Sequence, residues 1–167
     1  MKKQFLAALY AAALLAAACK KDAPDAGLPA ATQEGRNTFG CLVDGQAFGP
    51  KPPTGINSSS RDPLEASIYR TDVLVSARGG GYVEFALRNA FRPGTYPLGE
   101  TQTASYGSYI INGISHYTTA TYPGTVTLTR IDTVARIAAG TFEFTALDYR
   151  SGKTVTVTQG RFDVRLK

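Results

Sequence analysis

Beyond residue 19 the hydrophobic positions of this chain recur at every second residue. Val83, Phe85 and Leu87 share one side of the stretch 83–87, with Glu84 and Ala86 on the other. Residues 125–129 and 154–158 alternate threonine with aliphatic side chains, and Phe162, Val164 and Leu166 alternate with Asp163, Arg165 and Lys167. A period of two, rich in β-branched and aromatic residues, predicts strands with one dry face and one wet face. Such strands belong to antiparallel sheets. No helical periodicity follows residue 19.

The connections agree with hairpins. Asp44-Gly45 and Asn112-Gly113 are dipeptides favoured in two-residue loops, because both central positions need positive φ. Arg70-Thr71 and Ser151-Gly152 punctuate two further pairs. About ten strands are expected, near residues 38–44, 46–48, 64–70, 72–78, 81–88, 105–111, 114–119, 124–131, 136–147 and 153–166, the last in two pieces around Gly160. The fold class is therefore all-β: a single antiparallel β-sandwich, with a closed or partly open β-barrel as the alternative. Three segments repeat one pattern: Gly81-Tyr82-Val83-Glu84-Phe85, Gly140-Thr141-Phe142-Glu143-Phe144 and Gly160-Arg161-Phe162-Asp163-Val164. Glycine there permits a bulge or bend, the two apolar residues point inward, and the acid faces water. Arg88, Arg161 or Arg165 is the expected cross-strand partner of such an acid.

The N-terminus follows different rules. Lys2 and Lys3 precede an unbroken apolar stretch, residues 5–18, which ends at Cys19. As a helix it would be roughly 21 Å long, against about 30 Å of bilayer hydrocarbon. That is too short to span and suits the hydrophobic region of a secretory signal. Leu14-Leu15-Ala16-Ala17-Ala18-Cys19 resembles the lipobox of bacterial lipoproteins, with Ala16 where that family usually has leucine. The resemblance implies cleavage before Cys19 and acylation of that cysteine, so that several chains anchor the protein where one would bind only marginally. Lys20 stands where an aspartate would retain a lipoprotein in the inner membrane, and Lys20-Lys21-Asp22 resembles a surface-export tag. The implied address is the outer membrane, on its periplasmic or cell-surface face.

Three segments result: a signal peptide at 1–18, the lipidated cysteine and a flexible tether at 19–36, and one all-β domain at 37–167. Pro24, Gly27, Pro29 and Gly35 give the tether its character. Once the signal is removed, 16 basic and 13 acidic residues remain, a net charge of +3 without a basic stripe. Nucleic acid is accordingly not an expected partner. Only Cys41 is left as a thiol, so no internal disulfide forms; its strand face, shared with Phe39 and Val43, marks it as a buried small hydrophobe.

"NTFGCLVDGQAF", "GTYPLG" at 94–99, "GTVTLTRID" at 124–132, "GTFEFTA" at 140–146 and "GRFDV" at 160–164 together resemble a family of small Bacteroidota lipoproteins with an uncharacterised all-β domain. The likeness spans about residues 37–166. It implies a fold class and an address, and carries no catalytic positions.

Chemistry is sparse. The single histidine, His116, has Ser115 on the opposite strand face, and no Gly-x-Ser-x-Gly elbow occurs. Glu84 and Glu143 would have to lie within about 9.5 Å of each other to act as a glycosidase pair. One histidine and one free cysteine offer no metal cage. No catalytic residue, cofactor or metal is therefore expected, and no enzyme activity. Tyrosine is the salient feature: Tyr96, Tyr106, Tyr109, Tyr117 and Tyr122 crowd into one region of a chain without tryptophan. The Asn112-Gly113 hairpin puts Tyr109 and His116 on one face and Tyr106 and Tyr117 on the other; both faces cannot enter the core. Tyr106, Tyr109, His116, Tyr117 and Tyr122 are thus the candidate ligand-binding residues, suited to a glycan, a peptide or an envelope protein. A non-catalytic binding or accessory lipoprotein is expected. The alternatives are a structural envelope lipoprotein and an unrecognised glycoside-directed hydrolase.

Overall fold

The computed structural model describes residues 27–52, 62–99 and 104–167. The expected signal peptide, Cys19 and the first part of the expected tether lie outside the described residues. Those described form eleven strands: β1 (Thr38–Val43), β2 (Gln46–Phe48), β3 (Leu64–Tyr69), β4 (Asp72–Arg78), β5 (Tyr82–Leu87), β6 (Gly94–Leu98), β7 (Tyr106–Ile111), β8 (Ile114–Tyr117), β9 (Gly124–Asp132), β10 (Ile137–Leu147) and β11 (Thr154–Arg165). They contain no helix, and hence none long and apolar enough to cross a membrane.

All eleven belong to one open antiparallel sheet, ordered β2-β1-β11-β10-β8-β7-β5-β4-β3. The sheet forks at β10. Residues Ile137 to Phe144 pair with β9, which carries β6 on its far side, whereas Leu147 pairs with Tyr117 of β8. The main branch then folds over the same core. Phe85 of β5 lies 5.2 Å from Phe142 of β10 and 5.1 Å from Phe162 of β11, although β7 and β8 intervene in the sheet. Each such ring, buried among Val75, Val83, Val126 and Val157, contributes roughly 2–3 kcal/mol through burial. The sheet does not close into a barrel. Near its open edges the Lys167 N–H meets the Ala66 carbonyl and the Lys51 N–H meets that of Arg78, without a ladder between them.

The hairpin dipeptides behave as their chemistry requires. Asn112 and Gly113 have φ of 51° and 76°, and Ile111 pairs with Ile114 across them. Asp44 and Gly45 adopt the same combination between β1 and β2. Cys41 is buried beside Phe39.

Three features differ from the sequence reading. β6 is an additional strand: Pro97, which lacks an N–H, sits opposite Thr125 on an edge strand paired only with β9, where proline is tolerated. β11 is continuous, and Gln159 at φ 53° supplies the extra residue of a bulge beside Gly160. The segment 28–36, taken as part of the tether, packs on the sheet. Leu28 is buried, and the Asp163 carboxylate accepts the Thr32 hydroxyl and the N–H groups of Glu34, Gly35 and Arg36. Asp163 therefore does not face water. It lies on the outer side of β11 beneath this strap, and is buried.

Candidate functional site

The Asn112-Gly113 hairpin divides the candidate residues between two environments. Pairing of Tyr109 with His116 and of Ser108 with Tyr117 turns the first pair inward and leaves Tyr106 and Tyr117 outside. Tyr122 stands apart, half-buried in a turn closed by reciprocal bonds with Thr119. Tyr96 also stands alone, its hydroxyl donating to the Arg92 carbonyl.

Register builds the outer group. Ser76, Glu84, Ser108 and Tyr117 form one row across β4, β5, β7 and β8. Tyr82 precedes Glu84 by two residues on the same face, and Tyr106 reaches it diagonally from β7. The Tyr82 hydroxyl donates to one Glu84 carboxylate oxygen at 2.6 Å, and the Tyr106 hydroxyl donates to the other at 2.9 Å. Tyr106 and Tyr117 meet edge to face, with centroids 6.5 Å apart. The Arg78 guanidinium caps the Tyr82 ring at 4.6 Å, and its buried Nε has no hydrogen-bond partner among the described residues.

Burial, then the Glu84 charge, pushes Tyr106 well above the ordinary phenol value; burial and the bond to Glu84 also raise Tyr82. Both hydroxyls therefore remain protonated donors to the carboxylate. The result is a polar, half-buried ledge of three tyrosines, one glutamate and one arginine on a rigid sheet. Tyr82, Glu84 and Arg78 were not among the binding candidates. The stretch 81–85 already places Tyr82 and Glu84 on one face, but their meeting with Tyr106 depends on the β5–β7 register, which no local pattern states. Of the expected arginine partners, Arg88 pairs with Asp72 and Arg165 donates to the Gly35 carbonyl, while the contacts of Arg161 include the Pro29 carbonyl.

Inside, Tyr109 packs edge-on against Phe48 at 6.4 Å and tilts over His116 at 6.2 Å. The His116 Nδ1 lies 3.3 Å from the Tyr109 carbonyl. Both side chains line a cleft of about 570 Å³ at the end of the sheet.

Glu84 and Glu143 do not form a carboxylate pair. Two strands separate β5 from β10 in the sheet. The sheet folds so that Phe85 and Phe142 meet across the core, and Glu84 and Glu143, which alternate with these buried rings, project from its opposite outer sides. No group of three His, Cys, Asp or Glu among the described residues is placed to hold a metal ion.

The stretch from the start of β3 to the next-to-last residue of β11, residues 64–164, matches the model of a domain of unknown function, DUF6252. The chain belongs to that family. No curated protein and no solved structure matches it. The matched stretch contains the whole outer ledge, and excludes β1, β2 and the strap.

Proposed function

We propose that this DUF6252 protein is a lipid-anchored envelope protein, held at the outer membrane through Cys19, which binds a glycan, a peptide or another envelope protein without catalysing a reaction. The anchor rests on Lys2, Lys3, the apolar residues 5–18 and the Leu14-to-Cys19 motif. Binding rests on one observation: Tyr82, Tyr106 and Tyr117 are gathered around Glu84 on the outer face of β5, β7 and β8. Aromatic rings fixed to a stiff sheet lose little entropy on contact, and their hydroxyl edges add direction.

The test pairs a glycan array with capture from an envelope fraction, comparing wild type with Tyr106→Ala/Tyr117→Ala. Wild type should retain a ligand that the variant loses while both melt as folded proteins. Tyr117→Ala alone guards against misfolding, because Tyr117 donates no hydrogen bond within the cluster. Absence of any retained ligand ends the binding reading. Metabolic labelling with a palmitate analogue, lost in Cys19→Ala, tests the anchor separately.

A structural envelope role is the second reading. Glu84 already has both oxygens occupied by tyrosine hydroxyls, so the ledge also braces β5 against β7. In that case the tyrosine variants behave as wild type in cells and Cys19→Ala does not.

A further inference from the structure

The cleft at the end of the sheet is separate from the outer ledge, and its chemistry is more selective. Its walls are Val43, Phe48, Ile111 and Val155, contributed by four strands that converge there. Its volume of about 570 Å³ lies within the range of small-ligand sites. Tyr109 and His116 provide buried polar groups among these apolar walls, with the exposed Gln46 and Thr154 toward the solvent side. The Tyr109 ring extends past Gly81, where the absence of a side chain makes room for its hydroxyl: a Cβ there would sit 2.7 Å from that oxygen.

Neither the Tyr109 hydroxyl nor the His116 Nε2 has a hydrogen-bond partner among the described residues. A carbonyl oxygen only accepts, so Nδ1 of His116 carries the proton in its contact with the Tyr109 carbonyl. Nε2 is left for a ligand, as an acceptor whenever the ring is neutral. Burial keeps the Tyr109 phenol protonated. The pair therefore offers one acceptor and one hydroxyl, a match for a hydroxyl group on a ligand. At the rim stand the exposed Lys51 and Lys153, with Asp44 beside them. One Asp44 oxygen already accepts the Thr156 N–H at 2.8 Å. The rim thus carries two ammonium groups against one carboxylate that is already hydrogen-bonded.

From this arrangement we infer that the cleft binds a small aromatic acid carrying a hydroxyl opposite its carboxylate. The hydroxyl meets Tyr109 and His116, the ring lies between Phe48 and the aliphatic walls, and the carboxylate stays at the lysine rim. This inference does not depend on the outer ledge.

Three probes separate its parts: 4-hydroxyphenylacetate, phenylacetate, which lacks the hydroxyl, and tyramine, which exchanges carboxylate for ammonium. His116 is the chain's single histidine, so its ring protons give one resolved NMR reporter on the folded protein. 4-Hydroxyphenylacetate should shift them saturably. Phenylacetate should bind about tenfold more weakly, since a hydroxyl paired with a buried polar group is worth about that factor. Tyramine should bind roughly fivefold more weakly, as expected for exposed lysines. Lys51→Gln/Lys153→Gln, changing exposed side chains only, should abolish the preference for 4-hydroxyphenylacetate over tyramine. Ala47→Trp, which projects into the cleft from the exposed side of β2, should block all three.

No shift of His116 at millimolar 4-hydroxyphenylacetate overturns the inference. So do equal affinities for the three probes, or undiminished binding in Ala47→Trp. Tyr106→Ala/Tyr117→Ala should leave this binding unchanged, which separates its failure from failure of the ledge.

Discussion

Thr32 and Asp163 stand 131 positions apart in the chain, and a 2.6 Å hydrogen bond joins them. With three backbone N–H groups at the same carboxylate, this contact turns residues 32–36 into a strap across β11. For the anchor proposed at Cys19, the consequence is that residues 28–36 belong to the folded domain and not to the tether. Asp163→Asn keeps the size of the side chain and removes the charge that serves four donors. It should cost about 3 kcal/mol, because hydrogen bonds to a charged group are the strong ones. Thr32→Ala should cost only about 1 kcal/mol. Urea unfolding of the pair checks the ranking.

The same carboxylate dictates an acid limb. Burial alone would raise the Asp163 value, but the Thr32 hydroxyl and the N–H groups of Glu34, Gly35 and Arg36 outweigh it and hold it below the ordinary 3.8. A group depressed in the folded state stabilises above its unfolded value and loses that contribution as pH falls through the folded one. Wild type should therefore keep a constant urea midpoint from neutrality down toward the ordinary aspartate value and lose stability below it. Asp163→Asn should start lower and fall less steeply. Parallel acid limbs for the two proteins would refute this assignment.

Two glycines should fail for different reasons. Gly140 faces the bulge of β9, and a Cβ there would run into the Thr127 backbone carbonyl. Backbone cannot step aside cheaply, so Gly140→Ala should cost at least about 3 kcal/mol. Gly113 has open space around it but φ of 76°. Gly113→Ala should cost about 1 kcal/mol, a conformational penalty alone. Thermal unfolding of the two variants distinguishes steric collision from backbone strain.

Cys41 offers a probe of the core that needs no mutation. Burial pushes its thiol up to about 12, and desolvation is the physical cause. At mildly alkaline pH a disulfide reagent should leave Cys41 of the native protein unlabelled and modify it only as fast as the domain unfolds. Rapid labelling without loss of structure would place Cys41 outside the core.

How far these features were legible varies with their range in sequence. The hairpins at Asp44-Gly45 and Asn112-Gly113 are written in adjacent residues, and the structure realises both. β6 was hidden because Pro97 argues against a strand until the strand is known to lie on an edge. The strap was hidden because Pro29 and Gly35 look like linker, and its reason for order is a carboxylate well over a hundred residues away. The split of the tyrosines followed from hairpin parity, which put Tyr109 and His116 on one side and Tyr106 and Tyr117 on the other. Which side would be buried, and that Tyr82 and Glu84 would join the outer pair, needed the pairing of β5 with β7.

That pairing leads to the test of the ledge as an electrostatic unit. Burial and the negative charge of Glu84 both oppose ionisation of Tyr106. The same influences act on Tyr82, where the nearby Arg78 works the other way. Exposed Tyr69 and Tyr149 have no such neighbours in this cluster. Because the two raised values favour the protonated form in the folded state, the stability they confer is complete below the ordinary phenol range and drains away as pH rises through the folded values. Glu84→Gln removes the charge while keeping an acceptor. A spectrophotometric titration of wild type should show a group of late-ionising tyrosines, accompanied by alkaline unfolding. In Glu84→Gln the late group should move toward ordinary phenol behaviour without vanishing, since burial persists. Tyr106→Phe should reduce the late group in number. An unchanged titration in Glu84→Gln would mean that burial alone governs these hydroxyls and that the carboxylate does not organise the ledge.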